Sequence, residues 1–171
     1  MAKPLIRYWD SSCFLAWLKP EPARYDACKE VLRAAEQGQV QIVTSTISLT
    51  EVIKLNKGPI QIPHEAEKAI SAFFKQEYIV LLQLTRFIGE AARALIWAYP
   101  ALRPKDAIHA ATAMKANALD LHTFDKDFLP LDGKLGSSGL RIAEPHMPQK
   151  SLALELPPDS DPGDEEQPEV N

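Results

Sequence analysis

Five acidic residues stand at points of the chain where a parallel β-sheet would bring them together. Asp10 directly follows a β-like run, and Glu51 lies in the helical segment after a second such run. Asp125 follows a later run, with Asp127 two residues further on, and Asp106 lies in the first turn of the helical segment before that run. Because parallel strands end at a common sheet edge, where ligands bind in such folds, we expect these side chains to converge there.

A cluster of carboxylates that offers only oxygen ligands is typical of a Mg²⁺ or Mn²⁺ site. A metal held in this way binds substrate phosphate, supplies a bound water or hydroxide as nucleophile, and stabilises the leaving oxygen. Without a cation or protons, converged carboxylates repel one another and destabilise the fold. The cluster therefore predicts metal-assisted hydrolysis of phosphodiester bonds.

Each acidic residue also has a purely structural interpretation. Asp10 would cap the helix that follows it, and Ser48 with Glu51 would form a capping box. Asp106 would stabilise a helix N-terminus, and Asp125 would fit a turn. These interpretations apply one residue at a time, whereas the convergence of several like charges at one sheet edge favours the metal site.

The elements that would position these residues alternate between short β-like runs and longer helical patterns. The predicted strands are Leu5 to Trp9, Val40 to Thr44, Tyr78 to Leu84, Leu119 to Thr123 and Leu140 to Ala143. The predicted helices run from Ser11 to about Pro20, from Pro22 to about Gly38, and over Ile47 to Lys57, Pro63 to Phe74, Thr85 to Tyr99 and Pro104 to Ala116. This alternation predicts an α/β fold with three α/β/α layers, in which helices cover both faces of a central parallel sheet of about five strands.

Four segments of the chain carry a family resemblance through their order and spacing. They are Tyr8 to Ser12, Thr44 to Glu51, Arg103 to Ala113 and His122 to Phe128. Together they resemble the PIN-domain ribonucleases, and most closely the VapC-like toxins of type II toxin–antitoxin pairs. The resemblance extends from residue 5 to about residue 144. Trp9 departs from it, because an aliphatic residue is expected before the first aspartate.

The resemblance implies a PIN-like fold and an acidic site that binds Mg²⁺ or Mn²⁺ and catalyses cleavage of single-stranded RNA. The residues of that site would be Asp10, Glu51, Asp106 and Asp125. Ser11 and Thr123 would be supporting polar residues, and Asp127 an additional acid. The resemblance also implies a homodimer and a cognate antitoxin protein that blocks the site. Two alternatives stay open, namely a housekeeping RNA-processing nuclease and a non-catalytic module that binds RNA or protein on the same fold.

The net charge of −4, from 19 basic and 23 acidic residues, at first argues against a nucleic-acid partner. The charge is unevenly distributed, because residues 150–171 contain seven acidic residues and one basic residue, a net of −6. Residues 1–149 therefore carry 18 basic and 16 acidic residues, a net of +2. Basic residues near the motif segments could bind RNA phosphates. The candidates are Lys54, Arg103, Lys105 and Lys126.

Composition also divides the chain into a folded part and a tail. We expect a nuclease domain over residues 1–145 and an acidic, proline-rich tail over residues 146–171, which has too little apolar surface to order itself. The tail would act as a solubilising extension, fold onto an antitoxin, or lie over the basic rim and compete with RNA.

Other classes of protein fit the sequence poorly. Two cysteines are too few for a disulfide framework, and the longest apolar run, Tyr78 to Leu84, is too short to span a bilayer. We therefore expect a cytoplasmic protein without a membrane segment. The chain has no P-loop and no glycine-rich dinucleotide fingerprint. We expect His109 and His122 to pack or form hydrogen bonds, since an oxygen-rich site does not need imidazole.

Overall fold

Five parallel strands form the centre of the molecule in the computed structural model, which describes residues 3–19, 22–53, 64–137 and 139–147. The strands are β1 (Leu5–Trp9), β2 (Val40–Ser45), β3 (Ile79–Leu82), β4 (Asp120–His122) and β5 (Ile142–Ala143). Their order across the sheet is β3-β2-β1-β4-β5, and every pair is parallel. The strand order therefore reverses between β1 and β4, and such a switch point is where open α/β sheets bind their ligands.

Helices cover both faces of the sheet, as the sequence predicted. They are α1 (Ser11–Leu18), α2 (Pro22–Glu36), α3 (Ser48–Glu51), α4 (His64–Phe73), α5 (Arg86–Ala98) and α6 (Pro104–Lys115), with a 3-10 turn at Leu129–Leu131. Gly38 and Asn117, with φ of 72° and 51°, adopt the left-handed conformation expected after α2 and α6. Within the described residues, none of these helices combines the length and the apolar character needed to cross a membrane.

Helix α3 is the main departure from the predicted elements. The pattern predicted a helix from Ile47 to Lys57, but α3 is a single turn that ends at Glu51. The hydroxyl of Ser48 forms a hydrogen bond with Thr44 Oγ1 at 2.7 Å. Val52 is fully buried in the turn that follows. The remainder of the predicted helix, from residue 54 onward, lies outside the described residues, as do residues 148–171 of the predicted tail.

Alternate residues of β1 supply the two halves of the core. Tyr8 packs into a cluster with residues of α5 and α6, including Leu95 and Ala110. Trp9 points to the other face, where its ring meets that of Phe14 edge to face at 5.4 Å. The bulky Trp9 is thus fully buried between β1 and the α1–α2 layer. Because β1 is closely packed on both faces of the sheet, Asp10, which follows it, has a fixed position.

Candidate acidic active site

The four predicted acids lie around one cavity beyond the carboxyl ends of β1 and β4. This cavity of about 160 Å³ is lined by the carboxylate residues Asp10, Glu51, Asp106 and Asp125. Ser11, Ser12, Leu15, Arg103, Lys105 and His109 complete its wall. The structure therefore brings together side chains from four separate segments at the switch point of the sheet.

Asp10 is both a helix cap and a wall of the cavity. Its Oδ1 accepts hydrogen bonds from Ser12 N at 2.9 Å, Ser12 Oγ at 2.6 Å and Cys13 N at 3.3 Å. Its Oδ2 accepts a hydrogen bond from Thr123 Oγ1 at 2.5 Å. Burial raises the pKa of Asp10 above its ordinary value, even though these hydrogen bonds favour the carboxylate. A nearby cation would therefore stabilise the ionised form of Asp10.

Thr123 couples Asp10 to Asp125. Its hydroxyl donates to Asp10 and accepts a hydrogen bond from Asp125 N at 2.9 Å. Asp125 Oδ1 in turn accepts from Asp127 N at 2.9 Å, which is the turn contact expected of this pair. Thr123 is fully buried. The end of β4 and the end of β1 are thus joined through one side chain, which holds two of the four acids in a fixed relation.

Glu51 does not close a capping box. The N-cap of α3 is Ile47, which forms no side-chain capping bond within the described part of the chain, and Glu51 turns into the cavity instead. Ser11 Oγ donates to Glu51 Oε2, and Lys105 Nζ lies 2.6 Å from Oε1. Burial favours the neutral acid, but hydrogen bonds from His109, Lys105 and Ser11 outweigh it and lower the pKa of Glu51 to about 2. Glu51 is therefore a carboxylate throughout the neutral range.

A hydrogen-bond chain through His109 positions Glu51. Ser45 N donates to the Tyr8 hydroxyl at 3.0 Å, and the same hydroxyl lies 2.7 Å from His109 Nδ1. Because the Glu51 carboxylate only accepts, His109 Nε2, which lies 2.8 Å from Glu51 Oε2, carries a proton and donates to it. Burial raises the pKa of Tyr8, so its hydroxyl stays protonated.

The hydrogen-bonding role expected for His109 is present, but its link to Glu51 was not predicted. His109 follows Asp106 by one helical turn, and both residues line the cavity. That spacing places the two side chains on one face of α6. The i, i+3 relation to a predicted acid was the available indication in the sequence.

Two predicted phosphate-binding residues pair with the acids of the site. Arg103 Nε lies 2.7 Å from Asp106 Oδ2, Arg103 Nη2 donates to Asp125 Oδ2, and Nη1 lies 3.9 Å from Asp127 Oδ2. These contacts with Asp106 and Asp125 raise the pKa of Arg103. Lys105 pairs with Glu51. The site thus carries its own cations beside its acids.

The other two phosphate-binding candidates lie apart from these pairs. Lys126 is exposed and lines an adjoining cavity of about 370 Å³ together with Asp127 and Pro130. Lys54 lies outside the described residues. Their roles stay predictions.

The donor set of the cavity fits a hard divalent cation. Its four acidic side chains offer oxygen ligands, which Mg²⁺ and Mn²⁺ prefer. The pairing of the other three acids with Arg103 or Lys105 reflects an excess of negative charge. A divalent cation would relieve that excess.

Comparisons with known proteins agree with this architecture. The PIN-domain family model matches residues 7–134. Similar solved structures include VapC20 of Mycobacterium tuberculosis, a toxin that cleaves the sarcin–ricin loop, with 22% identity over 71% of this chain and 92% of that one and a TM-score of 0.57. A toxin–antitoxin complex from Klebsiella pneumoniae shares 24% identity over 71% of this chain and 89% of that one, with a TM-score of 0.53. FitAcB from Neisseria gonorrhoeae shares 15% identity over 81% and 97% of the two chains, with a TM-score of 0.54. At these identities the structures share the fold, and none of the curated proteins matches the chain.

Proposed function

The chain belongs to the PIN-domain family, and we propose that it is a metal-dependent endoribonuclease that cleaves single-stranded RNA as the toxin of a type II toxin–antitoxin pair. One observation carries the proposal, namely the convergence of four carboxylates on one cavity at the switch point of the sheet. A binding module that holds phosphate groups gains nothing from a cluster of acids, because like charges repel the ligand. A nuclease that uses a divalent cation needs such a cluster.

Asp10, Glu51, Asp106 and Asp125 would hold Mg²⁺ or Mn²⁺, with Asp127 as an additional acid at the rim. The bound ion supplies positive charge for the phosphate, a water of lowered pKa, and stabilisation of the leaving oxygen. The protein's own contribution is to fix the ligands before substrate arrives. Their supporting contacts come from Ser11, Ser12, His109 and Thr123.

Arg103 and Lys105 support an RNA substrate. Both residues are largely exposed at the mouth of the cavity, at 51% and 64% of their side chains, and each already contacts an acid of the site. When a divalent cation neutralises those acids, the two side chains become available to RNA phosphates on either side of the cleaved bond. The net charge of +2 on residues 1–149 favours the same substrate.

The solved structures of similar fold support an antitoxin partner. One is a toxin–antitoxin complex, and another is VapBC2 of Rickettsia felis bound to a DNA fragment from its promoter. We propose that a cognate antitoxin blocks the acidic cavity of this chain as well. We also propose a homodimer, for which Phe87 and Trp97 of α5, exposed at 62% and 73%, offer apolar surface.

Cleavage of total cellular RNA tests the activity. The purified protein is incubated with RNA and Mn²⁺ or Mg²⁺, and new 5′ ends are mapped by sequencing. The Asp10→Asn variant is the control, because asparagine caps a helix as well as aspartate does but offers no charge to a cation. We expect discrete cleavage sites with the parent protein that are lost in the variant or in chelator. Identical cleavage by both proteins would overturn the proposal.

Expression in a bacterial host tests the biological role. If the protein is a toxin, we expect its induction to arrest growth and co-expression of its antitoxin to restore growth. The Asp10→Asn variant should leave growth unaffected. Cleavage in vitro without growth arrest would contradict the toxin and favour a housekeeping RNA-processing nuclease. Stable RNA binding without cleavage would favour a non-catalytic module.

A further inference from the structure

A second group of potential metal ligands lies outside the acidic cavity. It consists of Asp120 and His122 in β4 and of His146, which follows β5. One ligand atom from each residue lies within 4.8 Å of the others. None of the three residues lines the acidic cavity described above. The group contains two imidazoles and one carboxylate, so its donor chemistry differs from that of the four acids.

Two of these ligand atoms are buried and lack a well-aligned hydrogen bond. Asp120 Oδ1 and His122 Nε2 have no hydrogen-bond partner among the residues that the structure describes. They face each other 3.2 Å apart, and this contact with His122 helps to lower the pKa of Asp120. Two ligands of a tetrahedral Zn²⁺, each about 2.0–2.1 Å from the ion, are separated by about 3.3 Å. The separation of these two atoms therefore suits a shared metal ion.

His146 supplies the third ligand atom of the group, and a hydrogen bond already orients its ring. Its Nδ1 lies 3.0 Å from the carbonyl oxygen of Glu144, and because a carbonyl only accepts, Nδ1 carries the proton. Its Nε2, the candidate ligand atom, lies 3.7 Å from Asp120 Oδ2. Metal-binding histidines characteristically donate their other N–H to a carbonyl or carboxylate in this way. The His146 side chain is 48% exposed, so an ion can reach the group from solvent.

The charges around the group suit a borderline transition metal. Burial lowers the pKa of His122, which keeps its imidazole neutral. Asp120 is ionised, because contacts with His122 and Arg7 lower its pKa against the effect of burial. Arg7 donates to Asp120 Oδ2, which leaves Oδ1 for another partner. The Arg7 cation also repels a metal ion and so lowers the affinity of the group for one.

We propose that Asp120, His122 and His146 bind one transition-metal ion of the Zn²⁺ class through three protein ligands and an open fourth position. Imidazole nitrogen favours Zn²⁺ over Mg²⁺, so this site and the acidic cavity select different metals. The bound ion links residues 144–147 to β4. It also lies beside the acidic site, since the backbone carbonyl of His122 accepts the hydrogen bond from Asp10 N.

Metal binding at His122 would move one proton from one ring nitrogen to the other. Trp9 Nε1 donates to His122 Nδ1 at 3.2 Å, so the neutral ring carries its proton on Nε2. When the metal takes Nε2, that proton passes to Nδ1 and the Trp9 indole gives up its acceptor. The number of protons on the ring is unchanged. Because Trp9 is fully buried against His122, its fluorescence reports the change.

Calorimetric titration of the full chain with Zn²⁺ tests this site. Excess Mg²⁺ is present throughout to occupy the acidic cavity. We expect one Zn²⁺ per chain in the parent protein, with a change in tryptophan fluorescence, and an affinity at least about tenfold lower in His146→Ala. His64→Ala is the matched control, because His64 is an exposed histidine on α4 with 78% of its side chain accessible.

Equal Zn²⁺ affinity in the parent protein and in His146→Ala would overturn the proposal, as would the absence of binding to the parent. Loss of Zn²⁺ binding in Asp106→Asn would also overturn it, because the ion would then belong to the acidic cavity. Circular dichroism confirms that each variant is folded before titration. The readout does not involve RNA cleavage, so failure here leaves the proposed nuclease function untouched.

Discussion

His109 Nε2 donates a hydrogen bond to Glu51 Oε2 across 2.8 Å, and this bond joins α6 to the single turn of α3. The other ring nitrogen of His109, Nδ1, forms a hydrogen bond with the Tyr8 hydroxyl at 2.7 Å. A short, isolated helical turn has little stability of its own. The position of the Glu51 carboxylate therefore depends on α6, the helix that also carries Asp106.

Acid sensitivity of the fold is the first prediction. The pKa of Glu51 is about 2 in the folded chain against an ordinary 4.5, so the carboxylate stabilises the fold above pH 4.5. That stabilisation is lost as the pH falls from 4.5 toward 2. At about 1.4 kcal/mol per pKa unit it amounts to about 3 kcal/mol at most. Urea unfolding of Glu51→Gln should therefore depend less on pH below 5 than that of the parent, whereas Glu90→Gln should follow the parent. An unchanged pH dependence in Glu51→Gln would contradict the assignment.

Replacement of His109 is the second prediction. His109→Ala removes the donor to Glu51 and a hydrogen-bond partner of Tyr8, so we expect the pKa of Glu51 to rise and RNA cleavage at neutral pH to fall by about 10–100-fold. His109→Gln keeps an N–H donor in this region and should retain more activity than the alanine variant. Cleavage rates at neutral pH measure the loss of activity, and the pH dependence of urea unfolding below pH 5 measures the rise in the pKa of Glu51. Equal activity in the parent and His109→Ala would show that Glu51 does not need this partner.

The third prediction concerns the hydroxyl of Thr123. Thr123→Val keeps the shape of a fully buried side chain but leaves Asp10 Oδ2 and Asp125 N without their partner. We expect a loss of about 1–3 kcal/mol in the free energy of unfolding, together with weaker Mn²⁺ binding. Thr123→Ser restores the hydroxyl and should recover most of the metal affinity. A valine variant that binds Mn²⁺ as the parent does would contradict the coupling of Asp10 and Asp125.

The fourth prediction follows from the pairing of Arg103 with Asp106 and Asp125. Arg103 competes with a cation for both carboxylates, so Arg103→Ala should bind Mn²⁺ more tightly in the absence of RNA, by roughly fivefold at low salt. The same variant should bind single-stranded RNA more weakly. Arg86→Ala is the matched control, since Arg86 pairs with Glu90 at 2.7 Å on the exposed face of α5. Unchanged Mn²⁺ affinity in Arg103→Ala would rule out the competition.

Much of the fold could be predicted because local rules and the tertiary structure agree. The alternation of strands and helices indicated the parallel sheet, and Gly38 and Asn117 marked the ends of α2 and α6. Helix α3 was predicted too long, because helical spacing beyond Ile47 does not reveal that Ser48 bonds to Thr44 and that Val52 turns into the core.

The sequence predicted the acids of the cavity and the residues Ser11, Thr123, Arg103 and Lys105 beside them, but not which of these side chains pair. A carboxylate at the end of a strand has its place set by the sheet: Asp10 directly follows β1, and Asp125 lies three residues after the end of β4. The partner of a long side chain depends on which residues the tertiary structure brings close. The pairing of Arg103 with Asp125, 22 residues away, could therefore not be predicted from the sequence. The meeting of His122 with His146 likewise depends on the register of β4 and β5.

The most direct test of the central claim is Mn²⁺-dependent cleavage of a single-stranded RNA under single-turnover conditions by three proteins, the parent, Asp106→Asn and Asp26→Asn. Asp26 is an exposed acid of α2 and controls for the change of one charge. We predict that Asp106→Asn loses at least about a hundredfold in rate while keeping the circular dichroism spectrum of the parent, and that Asp26→Asn cleaves at the parental rate. Cleavage by a folded Asp106→Asn protein at the parental rate would contradict the acidic site.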